Sequence, residues 1–375
     1  MRIVVVAETF LPAVNGVTHS VQKMLEHFAL RGDEVLVIAP SAGGPPGPVP
    51  GAARVVLLPS VPLARYASVR IAVGGVARIH RILADFAPDV VHLASPFELG
   101  WRAARAAEQL GLPVIAVYQT DIPGYAARYG VPFLENWAWQ RVENIHGGAA
   151  RTLAPSSSAV AQLQDRGIPR VRLWRRGVDT HRFHPSRRST TLRAGIAPDG
   201  ARLIGYVGRL AAEKQVEDLR ALAGIDNTRL VIIGDGPQRP ALEAILPDAA
   251  FLGFLGGNAL AAAMASLDLF VHPGELETFC QTIQEAMASG VPVVATARGG
   301  PLDLVDNSRT GWLYEPGNLA ELRRHVEDLT GDDAKRAAFS AAAFAGVQGR
   351  TWPVLCELLI QHYEEAINDH ALLHL

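Results

Sequence analysis

Short, wholly apolar runs that end in Gly- or Pro-marked loops constrain this chain more than any other feature. Residues Ile3–Ala7 form such a run. A loop follows from Glu8 to Gly16, holding Pro12, Asn15 and Gly16; a helical stretch from about Val17 to Leu30 stops at Gly32; and Glu34–Ala39 is the next run. An unbroken apolar run of this length fits a strand buried on both faces, which is the habit of parallel sheets flanked by helices. The first half repeats the pattern at Arg54–Leu58, Asp89–Leu93, Val114–Tyr118 and Arg151–Pro155. A second series opens at Leu203–Val207 and continues through Leu230–Ile233, Phe251–Phe254, Leu267–His272, Val291–Ala295 and Gly311–Tyr314. The expectation is an α/β protein of two doubly wound, Rossmann-like domains, a division that 375 residues also suit. Residues 177–200 are rich in Arg, Pro and Ser, lack periodicity and read as the interdomain crossing, giving domains of 1–180 and 181–351. A final helix over about Trp352–Asn368 is amphipathic through Leu355, Leu358, Leu359, Tyr363 and Ile367, and is expected to pack on a domain surface.

Composition removes several function classes. Apolar residues make up 49% and charged residues 19%, enough for sizeable cores and against disorder. The net charge of -2 argues against nucleic acid as a main partner. The only cysteines, Cys280 and Cys356, imply no disulfide framework and fit a reducing cytoplasm. Glu8 cuts the first apolar run short, so the N-terminus does not read as a signal peptide, and no run is long enough to span a bilayer. No G-x-G-x-x-G occurs at either domain's opening turn, which disfavours a dinucleotide cofactor and a nicotinamide dehydrogenase.

The densest chemistry lies in residues 272–295, HPGELETFCQTIQEAMASGVPVVA. A strand ends at His272, Glu277 sits in the loop, and a helix is expected from about Phe279 to Ser289, stopped by Gly290. Its first turn would offer the N–H groups of Phe279, Cys280 and Gln281 to an anion, with the carboxylates of Glu277 and Glu285 nearby. That combination suits a sugar joined to a phosphate. An ordinary amphipathic helix with a solvated glutamate fits the spacing as well.

Other candidates stand just past strand ends, where α/β sheets bind ligands. Gln119, Thr120 and Asp121 follow one strand; Gly16 marks the first turn, as a plain turn glycine or as a place for close backbone approach. Arg209 and Lys214 could converge on a diphosphate, and Lys214 is one of only three lysines in the chain. The turn Gly234-Asp235-Gly236-Pro237 is tight enough for backbone to meet a ligand. Tyr125, Arg128, Tyr129, Trp137 and Trp139 form an aromatic group suited to sugar stacking or to core packing. Residues 63–83, with Arg65, Arg70, Arg78 and Arg81 among apolar residues, read as a basic helical surface for anionic lipid or as a solvated face, weakened as a helix by Gly74-Gly75.

Six pieces in this order, ETFLPAVNGVT, YQTDIPGY, RRGVDTHRFHP, GRLAAEKQ, GDGP and ELETFCQTIQEAMASGVPVVA, resemble the retaining GT-B glycosyltransferases that carry an E-x7-E motif. The likeness spans nearly the whole chain. Within that group it is nearest to the actinobacterial GDP-mannose-dependent α-mannosyltransferases of glycolipid assembly. The resemblance implies two Rossmann-like domains facing a cleft, with the C-terminal helix, 352–375, crossing back to the first domain. It implies that Gly16 lets backbone reach the donor diphosphate, that Arg209 and Lys214 neutralise it, and that Glu285 holds ribose hydroxyls. Glu277 would hold hexose hydroxyls beside Phe279, Cys280 and Gln281, with Asp235, Gly236 and Phe254 near the base. Many relatives carry histidine where this chain has Gln119, which can hydrogen-bond the sugar but cannot act as acid or base. No D-x-D triplet occurs, so no metal and no cofactor beyond the nucleotide-sugar donor is expected. The partners implied are that donor, an acceptor hydroxyl that could belong to a lipid, and the inner face of a membrane. A UDP-sugar donor with a small-molecule acceptor, and a sugar-nucleotide epimerase or phosphorylase on the same fold, are the alternatives.

Overall fold

The computed structural model describes residues 1–13, 15–43, 48–63, 66–124 and 132–373. The chain forms two compact units, Met1–Arg176 with Trp352–Leu375, and Gly177–Thr351.

In the first unit the strands are β1 (Arg2–Ala7), β2 (Glu34–Pro40), β3 (Arg54–Leu58), β4 (Ser60–Leu63), β5 (Tyr66–Ala72), β6 (Val90–Ala94), β7 (Val114–Val117), β8 (Arg151–Ala154) and β9 (Val171–Leu173). Seven of them form one parallel sheet in the order β3-β2-β1-β6-β7-β8-β9. The apolar runs are its buried centre, with Ile3, Val5, Val37 and Val117 packing on one face and Val4, Leu36, Leu93 and Ala116 on the other. The helix Gly16–Arg31 starts where Asn15 accepts from the N–H groups of Val17 and Thr18 and ends at Gly32 in the left-handed region, which glycine adopts without strain. Over 63–83, read as a basic helical surface or a solvated face, the chain makes the antiparallel pair β4–β5 and then the helix Val76–Phe86. Gly74 and Gly75 separate the two, with Gly75 as the helix N-cap.

The last helix, Trp352–Leu373, belongs to this unit. Its apolar stripe adds Leu359, Ile360, Tyr363 and Ala366 to the first core, Tyr363 shares a 2.7 Å hydrogen bond with His92, and Glu365 and Asp369 pair with Arg151.

The second unit contains β10 (Arg202–Val207), β11 (Thr228–Ile233), β12 (Ala250–Gly253), β13 (Leu269–His272), β14 (Val293–Thr296) and β15 (Gly311–Tyr314), parallel in the order β12-β11-β10-β13-β14-β15. Residues 177–200, read as a structureless crossing, instead carry a 3-10 turn and the helix Thr190–Ile196, with Phe183 and Ala197 buried in the second core. Ser189 caps that helix, a signal hidden by the local Arg and Pro content.

Both sheets reverse strand order beside their first strand, between β1 and β6 and between β10 and β13. In open α/β sheets the crevice beyond the carboxyl ends at this switch point is where ligands bind. The fold therefore singles out the loops after β10 and β13, which carry Arg209, Lys214 and Glu277.

Candidate active site

The second switch point gathers a charged cluster. Beyond β10 the chain turns through Gly208–Leu210 into the 3-10 turn Ala212–Lys214; beyond β13 it runs through Pro273–Cys280 to the helix Gln281–Ala288. Lys214 Nζ donates to Glu277 Oε1 at 2.5 Å, and His272 Nε2 lies 3.0 Å from the same oxygen. The two loops are tied together again one step away. Gln215 Nε2 donates to Glu275 Oε1 at 3.1 Å, and Gln215 Oε1 accepts from the Glu275 N–H at 3.0 Å. Gly299 and Gly300 back the second loop. A Cβ on Gly300 would stand 2.3 Å from the Phe279 carbonyl oxygen, so only glycine allows this approach.

Charge in this cluster follows from burial and pairing. Burial alone would raise the Glu277 carboxyl, but Lys214 and His272 outweigh it and hold it near 2. Burial would likewise neutralise His272, yet the neighbouring Cys280 sulfur and Glu277 hold it up at about 9. At neutral pH two cations, Lys214 and His272, therefore face one carboxylate in surroundings of low dielectric. Arg209 stands at the same strand end with its guanidinium 2.5 Å from Glu213, a side chain that is almost wholly buried.

Glu285 sits apart, on the inner face of the helix Gln281–Ala288. Burial pushes its carboxyl up to about 8, opposed by Arg182 and Gln281. Burial thus favours the protonated form of this carboxyl.

The helix begins at Gln281, two residues later than expected. Cys280 takes a left-handed φ of 73° as its N-cap, and the Phe279 ring is driven into the core. Phe279 therefore lies outside the first turn; of the three N–H groups expected there, only that of Gln281 belongs to it. The Gln281 side chain donates to the Gly177 carbonyl at 3.0 Å.

At the outer edge of this sheet, Asp235 and Gly236 lie against the Arg209 loop, where the Leu210 N–H donates to the Asp235 carbonyl at 2.9 Å. The β11–β12 register pairs Ile233 with Gly253, which brings the strongly exposed Phe254 ring to the same strand ends.

The first unit brings together a different set. Gln119 is buried past β7 and accepts a hydrogen bond from Arg176, while Gly16 opens the first helix. Asp121 is engaged locally: its Oδ1 accepts from the Tyr118 hydroxyl at 3.0 Å and from the Gly124 N–H at 2.9 Å. Only Trp137 and Trp139 of the aromatic group fall among the described residues, and they pack in different places. Trp139 is core, Trp137 packs edge-on against Phe97, and Tyr125, Arg128 and Tyr129 lie outside the described residues.

Sequence reasoning passed over His272 and Arg176. His272 was legible as the last residue of an apolar strand, a place where a buried ionisable group needs a partner. Arg176 stands in RRGVDT, where an arginine-rich run reads as solvated surface.

Residues 14–182 match the model of Glycosyltransferase Family 4, and residues 188–345 that of Glycosyl transferases group 1. A GDP-mannose-dependent alpha-mannosyltransferase of Mycolicibacterium smegmatis is 49% identical over 376 residues, 99% of each chain. The chain belongs to this family of glycosyltransferases. A second member of the same name, from Corynebacterium glutamicum, is 45% identical over 98% of this chain and 89% of its own. The sucrose-phosphate synthase of Thermosynechococcus elongatus shares the fold, with a TM-score of 0.82 at 20% identity over 97% of this chain and 98% of its own. Two Rossmann-like domains of the GT-B type are thus the architecture of this glycosyltransferase.

Proposed function

We propose that this glycosyltransferase moves mannose from GDP-mannose to an acceptor hydroxyl with retention, and that the acceptor is a glycolipid precursor. The observation that carries the donor half is the cluster beyond β10 and β13: a buried carboxylate flanked by Lys214 and His272, with Arg209 on the adjoining loop. Fixed cationic side chains at a topological switch point suit a diphosphate. The near-full-length relatives named for GDP-mannose support guanine and mannose as its two ends.

In this reading the anomeric C–O bond breaks with its electron pair going to the phosphate oxygen. The acceptor oxygen bonds to the anomeric carbon from the same face, and its proton passes to that phosphate oxygen. Lys214, His272 and Arg209 are fixed before reaction and aimed at the charge that develops on the leaving group, so they lower the barrier without reorganising. Glu277, held ionised, accepts from mannose hydroxyls, and Glu285 accepts from the ribose diol. Asp235, Gly236 and Phe254 border the base; the Gln281 N–H faces the phosphate side. This reading uses no metal clamp: Lys214, His272 and Arg209 take that role.

For the acceptor, the helix Val76–Phe86 turns Arg78 and Arg81 outward beside the β4–β5 pair, a basic face suited to anionic lipid. No helix among the described residues is long and apolar enough to cross a membrane, so contact would be peripheral.

The test is a donor panel of GDP-mannose, UDP-glucose and ADP-glucose with a membrane lipid extract, and anomeric assignment of the product by NMR. An α-mannoside formed from GDP-mannose alone is expected. A β-product, preference for a UDP-sugar, or an altered sugar nucleotide without a glycoside would overturn the reading. Sedimentation with anionic and neutral vesicles decides the lipid surface.

A further inference from the structure

Gly16 is a glycine that its own backbone does not require. It opens the helix Gly16–Arg31, and unlike fifteen other glycines of the described chain it has no positive φ. Space, not conformation, restricts the position. A Cβ there would stand 2.9 Å from Nη1 of Arg176, and Arg176 is the single residue in its way. The guanidinium is almost fully buried, and its Nη2 donates to Oε1 of Gln119, past the end of β7. The segment carrying it is pinned two residues earlier, where Trp174 Nε1 donates to the Leu355 carbonyl at 2.8 Å.

A guanidinium has donors only. An amide beside it must turn its oxygen inward, which leaves the NH2 as the end that Gln119 offers elsewhere. We infer that Arg176 is a positioning residue that fixes Gln119 as a hydrogen-bond donor to a substrate oxygen, and that residue 16 is glycine to make room for Arg176. The inference rests on the mannosyl-transfer reading and deepens it. Gln119 then donates through its NH2 to an oxygen lone pair of the transferred sugar or of the incoming acceptor. The space at Gly16 serves a side chain of this protein.

The test is a mutant cycle on the full chain, with melting temperature, kcat and donor KM read for each protein. Gly16→Ala, Arg176→Met and Gln119→Glu are each expected to lower kcat by about tenfold or more, with donor KM within about threefold. Gly16→Ala combined with Arg176→Met should be no slower than Arg176→Met alone. Arg176→Lys should restore most of the rate, since an ammonium also only donates. Gln119→Glu keeps its bond to Arg176 and its melting temperature, but loses the donated hydrogen bond. Multiplied losses in the double variant overturn the explanation of Gly16, and a wild-type kcat in Gln119→Glu overturns the donor role. A wild-type protein that forms product while every variant matches it overturns this inference alone. A wild-type protein that forms no product with any donor overturns the transfer reading and the inference together.

Discussion

The two sheets of this protein are built alike and used differently. Each is parallel, each reverses order beside its first strand, and each presents residues at the carboxyl ends of the two strands that flank the reversal. In the second unit those ends hold Lys214, His272 and Glu277 in a buried ionic cluster. In the first they hold Gly16, with the amide of Gln119 on the neighbouring strand fixed by one buried guanidinium. The fold provides the place; the side chains decide whether it carries an ionic cluster or a hydrogen-bonded amide. The second site is over-determined by charge, the first by hydrogen-bond direction. Their responses to substitution, pH and chelation should therefore differ.

The sharpest way to break that contrast is Lys214→Ala, which removes the cation that the proposed reaction sets against the leaving group. Turnover should fall by about a hundredfold or more, with the melting temperature close to wild type. A rate near wild type would mean that the cluster is structural. Glu213→Gln should cost less, about tenfold in kcat/KM, because Arg209 stays but loses the buried carboxylate that aims it. An unchanged kcat/KM would remove Arg209 from the account.

Next in size is a pH effect confined to the second unit. Glu285 is held protonated until about pH 8 when no ligand is bound. If the ribose diol requires the ionised carboxylate, binding expels a proton below that pH. Affinity for GDP-mannose without acceptor should then rise with pH by up to about tenfold per unit from pH 6 to 8. It should fall again above about 9, as His272 loses its proton. Glu285→Gln should abolish the rise and spare the fall. The same shift acts on stability. The folded state holds a proton that the unfolded chain gives up near pH 4.5, so the Glu285 contribution declines as pH rises from there to about 8. The smallest expected effect is that of a chelator: EDTA should leave kcat within about twofold, and a larger loss would return a metal to the His272, Glu277 and Cys280 group, whose donor atoms lie within 4.8 Å of one another.

The architecture was readable because its strands are continuous apolar runs that no alternation confuses. Every expected strand from Ile3–Ala7 to Gly311–Tyr314 is present within a residue or two, whereas the three-residue β9 gives too short a run to notice. The hairpin β4–β5 was misread because a short antiparallel pair and a basic amphipathic helix share the same mixed composition. The charged members of the second site were legible by position, as Lys214 and Glu277 stand just past strand ends. Their mutual pairing was not, since it joins loops 63 residues apart, and His272 on the same oxygen was passed over. The helix start at Gln281 was missed because a cysteine with φ of 73° takes a place where sequence rules expect glycine.

Calorimetric titration of wild type and Lys214→Ala with GDP and with guanosine tests the central claim most directly. A cationic cluster that grips the diphosphate predicts GDP affinity at least about tenfold weaker in the variant, as loss of a hydrogen bond to a charged group implies, and guanosine affinity unchanged. Equal GDP affinity in the two proteins would contradict it.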